Sequence, residues 1–173
     1  MAVRFPSRRG RRSWWLIAAL AALVVYRAVQ TTGEADTPEA LAEGMYEVAR
    51  VVDGDTLLLV NRARVRLIGV DTPETVRPNH PVEPWGAEAS RFTQEFIGRG
   101  PVRLTFDQER RDRFERFLAY VWVDERLLNE ELVRAGLARA ELGFHYSNAM
   151  KKRFRDAERA AQQERLGLWS QRP

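Results

Sequence analysis

YEVARVVDGDTLLLVNRARVRLIGV, residues 46–70, holds three runs rich in β-branched and aromatic residues, separated by the turn signals Asp53-Gly54-Asp55 and Asn61-Arg62-Ala63. Apolar side chains at roughly alternate positions give each run one face to bury, and short polar connectors between such runs join antiparallel neighbours. The stretch therefore predicts a three-stranded β-meander. Downstream, Ala89, Phe92, Phe96 and Ile97 share one face at helical spacing and predict a helix over 86–97. Two more strands are expected at 102–106 and 117–123. Asp124-Glu125-Arg126 then turns into a short helix, which Gly136 closes with a left-handed cap. A last helix is expected over 148–166. Five strands, with one helix between the third and fourth and two after the fifth, suit an α+β fold: a small closed barrel with three flanking helices.

Upstream of the meander the chain changes character. Residues 1–13 carry five arginines, and Trp14 to Tyr26 read WWLIAALAALVVY, a basic n-region followed by an apolar helix over 14–30 that addresses a membrane. No small-x-small cleavage site follows it, so it reads as a signal anchor, with a cleaved signal peptide as the alternative. The arginines stay in the cytoplasm by the positive-inside rule, which places everything beyond residue 30 outside it, membrane-anchored or, after cleavage, secreted. Residues 31–44 are a polar, acidic linker, 45–170 the folded domain and 171–173 a tail.

Composition narrows the chemistry. The absence of cysteine excludes a disulfide framework, a thiolate zinc site and a thiol nucleophile, so any metal must be held mainly by oxygen. The net charge of +4 is misleading, because six unopposed arginines in residues 1–30 leave −2 for the remainder. Binding to a polyanion must come from local clusters: Arg110, Arg111, Arg113 and Arg116, or Lys151, Lys152, Arg153 and Arg155, the latter read as a solvated helix face. His80 and His145 occur in no ligand-like pair and are assigned to structure or surface. Asp55 follows one strand, and Arg66, Asp71 and Glu74 flank the end of another. Carboxylates gathered at strand ends make a hard-oxygen site for a divalent cation. Asp53 reads as a turn former.

Five blocks, VVDGDTLLL, VRLIGVDTPE, RDRFERFLAYVW, NEELVRAGLA and AERAAQQERLGLWS, resemble the staphylococcal nuclease family in order and spacing across roughly residues 45–170. The resemblance implies an OB-fold barrel and a calcium-dependent endonuclease that cuts DNA and/or RNA with little sequence preference. It implies that Asp55, Asp71 and the carbonyl of Thr72 hold Ca2+, that Glu74 acts on the attacking water, and that Arg66 and Arg116 grip the scissile phosphate. Such arginines serve catalysis rather than packing, so their substitution is expected to leave thermal unfolding nearly unmoved. The chain departs from the family around Arg116, where Phe114, Glu115 and Phe117 replace a tyrosine and two glycines. Glu115 sets a negative charge beside the phosphate site and is placed to pair with Arg116, with Arg110, Arg111 and Arg113 available to offset it. The family's stacking tyrosine aligns with Leu142, so Phe144 and Tyr146 are the candidate base platform, with Arg113 and Phe114 as further substrate contacts. The rival readings are a catalytically weak or inactive OB-fold nucleic-acid-binding module at the membrane, and an envelope-anchored interaction protein. No obligate protein partner is evident.

Overall fold

The computed structural model describes residues 37–75 and 83–170; the basic and apolar N-terminal segments, His80 and the C-terminal tail lie outside the described residues. The meander forms as its pattern requires. Strands β2 (Val48–Asp53), β3 (Thr56–Leu59) and β4 (Arg64–Leu67) pair antiparallel, with Val51 opposite Leu57 and Leu57 opposite Val65. Leu57, Leu59, Val65 and Leu67 form the buried face. Strands β6 (Val102–Thr105) and β7 (Phe117–Val123) pair antiparallel, and β1 (Gly44–Tyr46) adds to β6. The two halves join where β4 and β7 run parallel, Val65 facing Phe117 and Leu67 facing Ala119.

The resulting mixed sheet runs β1-β6-β7-β4-β3-β2. Its two outer members are successive pieces of one chain, separated by Glu47 alone, whose carbonyl accepts from Val60 N–H at 3.0 Å. Two-residue strands complete the pairing: β8 (Arg126–Leu127) lies on β7, and β5 (Val70–Asp71) pairs with β9 (Arg139–Ala140) as a separate ribbon.

Helix α1 spans Gly86–Ile97, as its apolar spacing dictates, with Ala89, Thr93 and Ile97 turned into the core. Helix α2 (Leu128–Arg134) ends ahead of Gly136, whose φ of 70° is the left-handed turn expected there. Helix α3 spans Asn148–Glu164, its first turn capped by the Ser147 hydroxyl accepting from Met150 N–H. Buried Asn129 on α2 locks the parallel seam: its side-chain oxygen accepts from Val121 N–H at 3.0 Å, and its Nδ2 donates to the carbonyls of Ile68 and Ala119.

The chain ahead of β1 is built into the body. Leu41 is 5% exposed and belongs to the core. Arg110 donates to the Leu41 carbonyl at 3.2 Å, Arg111 to the carbonyls of Pro38 and Glu39, and Phe106 N–H to the Glu43 carboxylate. Residues 37–43 thus form a strap across the segment that precedes β7.

Candidate active site

Asp55 sits in the turn between β2 and β3, where Gly54 allows a close approach. A Cβ on Gly54 would lie 2.8 Å from the Ala89 side chain and 2.9 Å from the Thr72 hydroxyl, so only glycine lets α1 and the chain after β5 press on this turn. Thr93 fastens the helix by donating to the Gly54 carbonyl at 2.6 Å. Asp55 is 6% exposed. One of its oxygens accepts from both the backbone and the hydroxyl of Thr72, each at 2.9 Å, and the other from the Thr56 hydroxyl.

Arg66 points from β4 into the same cleft and is 7% exposed. Its Nη1 lies 2.7 Å from Asp55 and donates to the Val70 carbonyl at 2.8 Å, while its Nη2 lies 2.9 Å from Asp71. One guanidinium therefore bridges both carboxylates and leaves the trio with a net charge of −1. Burial pushes the Asp71 carboxyl above its ordinary 3.8; Arg66 opposes that push, and the neighbouring charges of Asp55, Glu141 and Glu83 add to it. With Asp53, Arg64, Glu74 and Arg116, these groups line a cleft of about 250 Å³. All six residues expected to bind metal or act on the phosphate thus meet in one place.

Two of those expectations change on contact with the geometry. Arg66 is a buried, doubly paired side chain, so its removal is expected to cost stability whatever it does to turnover. Arg116 is not held by Glu115. Its Nε and Nη2 lie 2.7 and 2.6 Å from the Asp112 carboxylate, which also accepts from the backbone N–H groups of Phe114 and Arg116. Glu115 sits at a φ of 61° and turns away to Arg111, 3.1 Å distant. Asp112 was missed by sequence reasoning, because a carboxylate four residues from an arginine inside a loop carries no periodic signal. Arg110 and Arg111 are bound to the 37–43 strap and stack on Phe106 and Phe117, which leaves Arg113 and Arg116 as the cluster members beside the exposed ring.

Asp53 does more than form a turn. Besides Gly54 N–H it accepts from the Thr75 hydroxyl at 2.7 Å and from Ser90 on α1, which ties the 72–75 segment carrying Glu74 to the helix. Glu74 is further fixed by Glu83, whose N–H donates to the Glu74 carbonyl at 3.0 Å and whose carboxylate accepts from Glu74 N–H at 3.3 Å.

The expected base platform divides. Phe114 is 63% exposed at the rim, with Arg113 and Arg116 over its ring at 4.7 and 5.4 Å. Tyr146 is 4% exposed: its hydroxyl donates to the Glu141 carbonyl, its ring packs on Phe154, and burial raises its pKa to about 12. It is a core residue and offers no face to a base. Phe144 is half-buried against the same core. On α3, Lys152, Arg153 and Arg155 are exposed, as a solvated helix face requires; Lys151 donates to the Leu142 carbonyl, Lys152 pairs with Asp156 and Arg153 with Glu130.

Residues 64–171 match the family model described as "Staphylococcal nuclease homologue". The chain is 43% identical over 131 residues to the thermonuclease of Staphylococcus hyicus, covering 74% of this chain and 77% of that protein. It is 43% identical over 127 residues to the thermonuclease of Staphylococcus intermedius, covering 72% and 75%. Against Endonuclease YncB of Bacillus subtilis (strain 168) it is 36% identical over 148 residues, covering 82% and 70%.

Proposed function

The chain belongs to the staphylococcal nuclease family, and from that premise we propose that it is a calcium-dependent endonuclease, hydrolysing phosphodiester bonds of DNA and/or RNA with little sequence preference. The observation that carries this reading is the convergence of Asp55, Asp71, Thr72 and Glu74 with Arg66 and Arg116 in one small cleft. A sheet whose first and last members are contiguous across Glu47 also supports the OB-type barrel.

The donor set suits a hard cation. Asp55 and Asp71 approach the same guanidinium within 2.9 Å, so two carboxylates converge; the sequence holds no cysteine, and among the described residues no histidine lines the cleft. Asp55, Asp71 and the Thr72 carbonyl would hold the ion, which when bound supplies a polarised water and charge neutralisation at phosphorus. Glu74, fixed beside these groups, accepts the proton of the attacking water. Arg116 commits Nε and Nη2 to Asp112, which leaves Nη1 to donate to a non-bridging oxygen and stabilise its growing charge. Arg66 holds the two carboxylates in register, and would be available to donate to the phosphate were those carboxylates engaged by a bound cation. Phe114 and Arg113 form the rim on which a base and its neighbouring phosphate rest.

We place the domain outside the cytoplasm, anchored to a membrane by residues 14–30 or secreted after their removal, on the strength of the charge and hydropathy pattern alone. The functional test is chain cleavage of denatured DNA and of RNA with calcium or with excess chelator. Undiminished cutting in chelator refutes the metal requirement, and no cutting under any divalent cation refutes the activity.

A further inference from the structure

A second groove, about 730 Å³, adjoins the catalytic cleft and shares Arg64 with it. Arg62, Arg64, Arg111, Pro38, Phe114 and Glu115 are among the residues that line it. Arg62, Arg64 and Arg66 occupy alternate positions leading from the β3–β4 turn into β4, stepping from the groove to the cleft. Within β4 the two-residue step from Arg64 to Arg66 advances roughly 6.5–7 Å, about the spacing of successive phosphates along an extended single strand, and Arg62 continues the series from the turn. Arg66 is buried in the cleft, while Arg64 and Arg62 are exposed along the groove.

The turn adds a second observation. Arg62 holds a φ of 69°, a left-handed conformation in which glycine or asparagine is at ease and arginine is strained. A long cation kept at a position that disfavours it points to work for its side chain. The acids of the groove do not cancel the ladder. Glu115 is engaged by Arg111 at 3.1 Å, which leaves Glu39 against Arg62 and Arg64.

We propose that this groove is a distal subsite for the sugar-phosphate backbone of single-stranded nucleic acid. Arg64 and Arg62 take the successive phosphates that leave the catalytic cleft, and Phe114 carries a base between them. The proposal rests on the nuclease reading for the identity of the polymer, but not for the existence of the groove.

The test uses the full chain in excess chelator, with fluorescence anisotropy of labelled oligothymidylates about three and about a dozen nucleotides long, each titrated with salt. A phosphate contact to a single strand contributes about −0.7 to the slope of log affinity against log salt. Arg62→Gly should flatten the slope for the long oligomer by about 0.7, and Arg62→Gly with Arg64→Ala by about 1.4, with roughly tenfold or greater loss of affinity at low salt. Affinity of Arg62→Gly for the short oligomer should not fall. Because glycine relieves the left-handed backbone, thermal unfolding of Arg62→Gly should be unchanged or raised, which separates lost binding from lost folding.

An unchanged slope for the long oligomer, an equal loss for both lengths, or failure of the native chain to bind either length overturns the groove. If the native chain cuts neither DNA nor RNA yet the slope flattens as stated, the groove stands and the nuclease reading falls. Normal cutting with an unmoved slope overturns the groove and leaves the nuclease reading standing.

Discussion

Arg66→Ala is the most informative single perturbation, because the structure gives this residue a mechanical duty that its position in a cleft conceals. The substitution deletes a guanidinium that lies 2.7 Å from Asp55 and 2.9 Å from Asp71 and donates to the Val70 carbonyl. Removing one partner of a buried pair costs about 3–5 kcal/mol, since the other charge stays behind uncompensated. The Asp71 side chain is 58% exposed, so that arm contributes only about 0–1 kcal/mol. Asp55 keeps its bonds from both donors of Thr72 and from Thr56, which holds the loss toward the lower bound, about 3 kcal/mol. For a body of this size that corresponds to a fall in Tm of roughly 10 °C. Thermal unfolding in chelator, followed by circular dichroism, reads it directly. Calcium should then raise the Tm of the variant more than that of the native chain, because the cation no longer competes with Arg66 for the carboxylates; each hundredfold excess over Kd is worth about 2.7 kcal/mol. A Tm within a degree or two of native in chelator would refute the reasoning, whatever happens to turnover.

Other outcomes follow from the neighbouring loop and from the segment around Asp107. Asp112→Ala should lower turnover by about tenfold or more by freeing Arg116 and uncapping its loop, and Asp112→Asn, which retains the acceptor for the two backbone N–H groups, should restore Tm but only part of kcat. Equal turnover of all three proteins would remove Asp112 from the positioning of Arg116. Glu115→Gly should leave stability within about 1 kcal/mol of native, because relief of a left-handed glutamate offsets loss of an exposed ion pair, and it should tighten binding of single-stranded DNA at low salt. Weaker binding would show that Glu115 acts by holding Arg111. Asp107 accepts from Tyr120, Ser147 and Gln108; burial raises its pKa, and those hydrogen bonds outweigh burial to hold it below the ordinary 3.8. Its contribution is present above about pH 4 and is lost as pH falls through the lowered folded value. The urea midpoints of native and Asp107→Asn chains should therefore differ at about pH 7 and converge toward about pH 3; parallel curves would dismiss the linkage.

What the sequence disclosed and what it withheld divide along physical lines. Helix α1 was legible at both ends because Ala89, Phe92, Phe96 and Ile97 repeat at one period, and the meander because Leu57, Leu59, Val65 and Leu67 alternate. Strands β5, β8 and β9 are two residues long and have no period to read. The residues that gather in the cleft were legible from their motif, but their pairing was not. That Asp112 rather than Glu115 holds Arg116 depends on a left-handed backbone at Glu115. Tyr146 looked like an exposed loop aromatic; its burial depends on Gly69, where a Cβ would meet its ring at 2.8 Å, and on Phe154. Leu41 and Glu43 sit in a polar, acidic stretch whose docking is decided by Arg110, Arg111 and Phe106, more than sixty residues away.

The parallel seam between β4 and β7 has a consequence for folding. Every other long pairing in the main sheet is antiparallel, and those of β2-β3-β4 and β6-β7 are local enough to form as hairpins. The seam sets Val65 against Phe117 and requires a long loop to close before any bond rewards it. Asn129 bridges Ile68, Ala119 and Val121 across that closure, which makes its amide a candidate member of the folding nucleus. Asn129→Ala should accordingly slow refolding more than it hastens unfolding, and the two halves of the sheet should gain amide protection together as the seam forms.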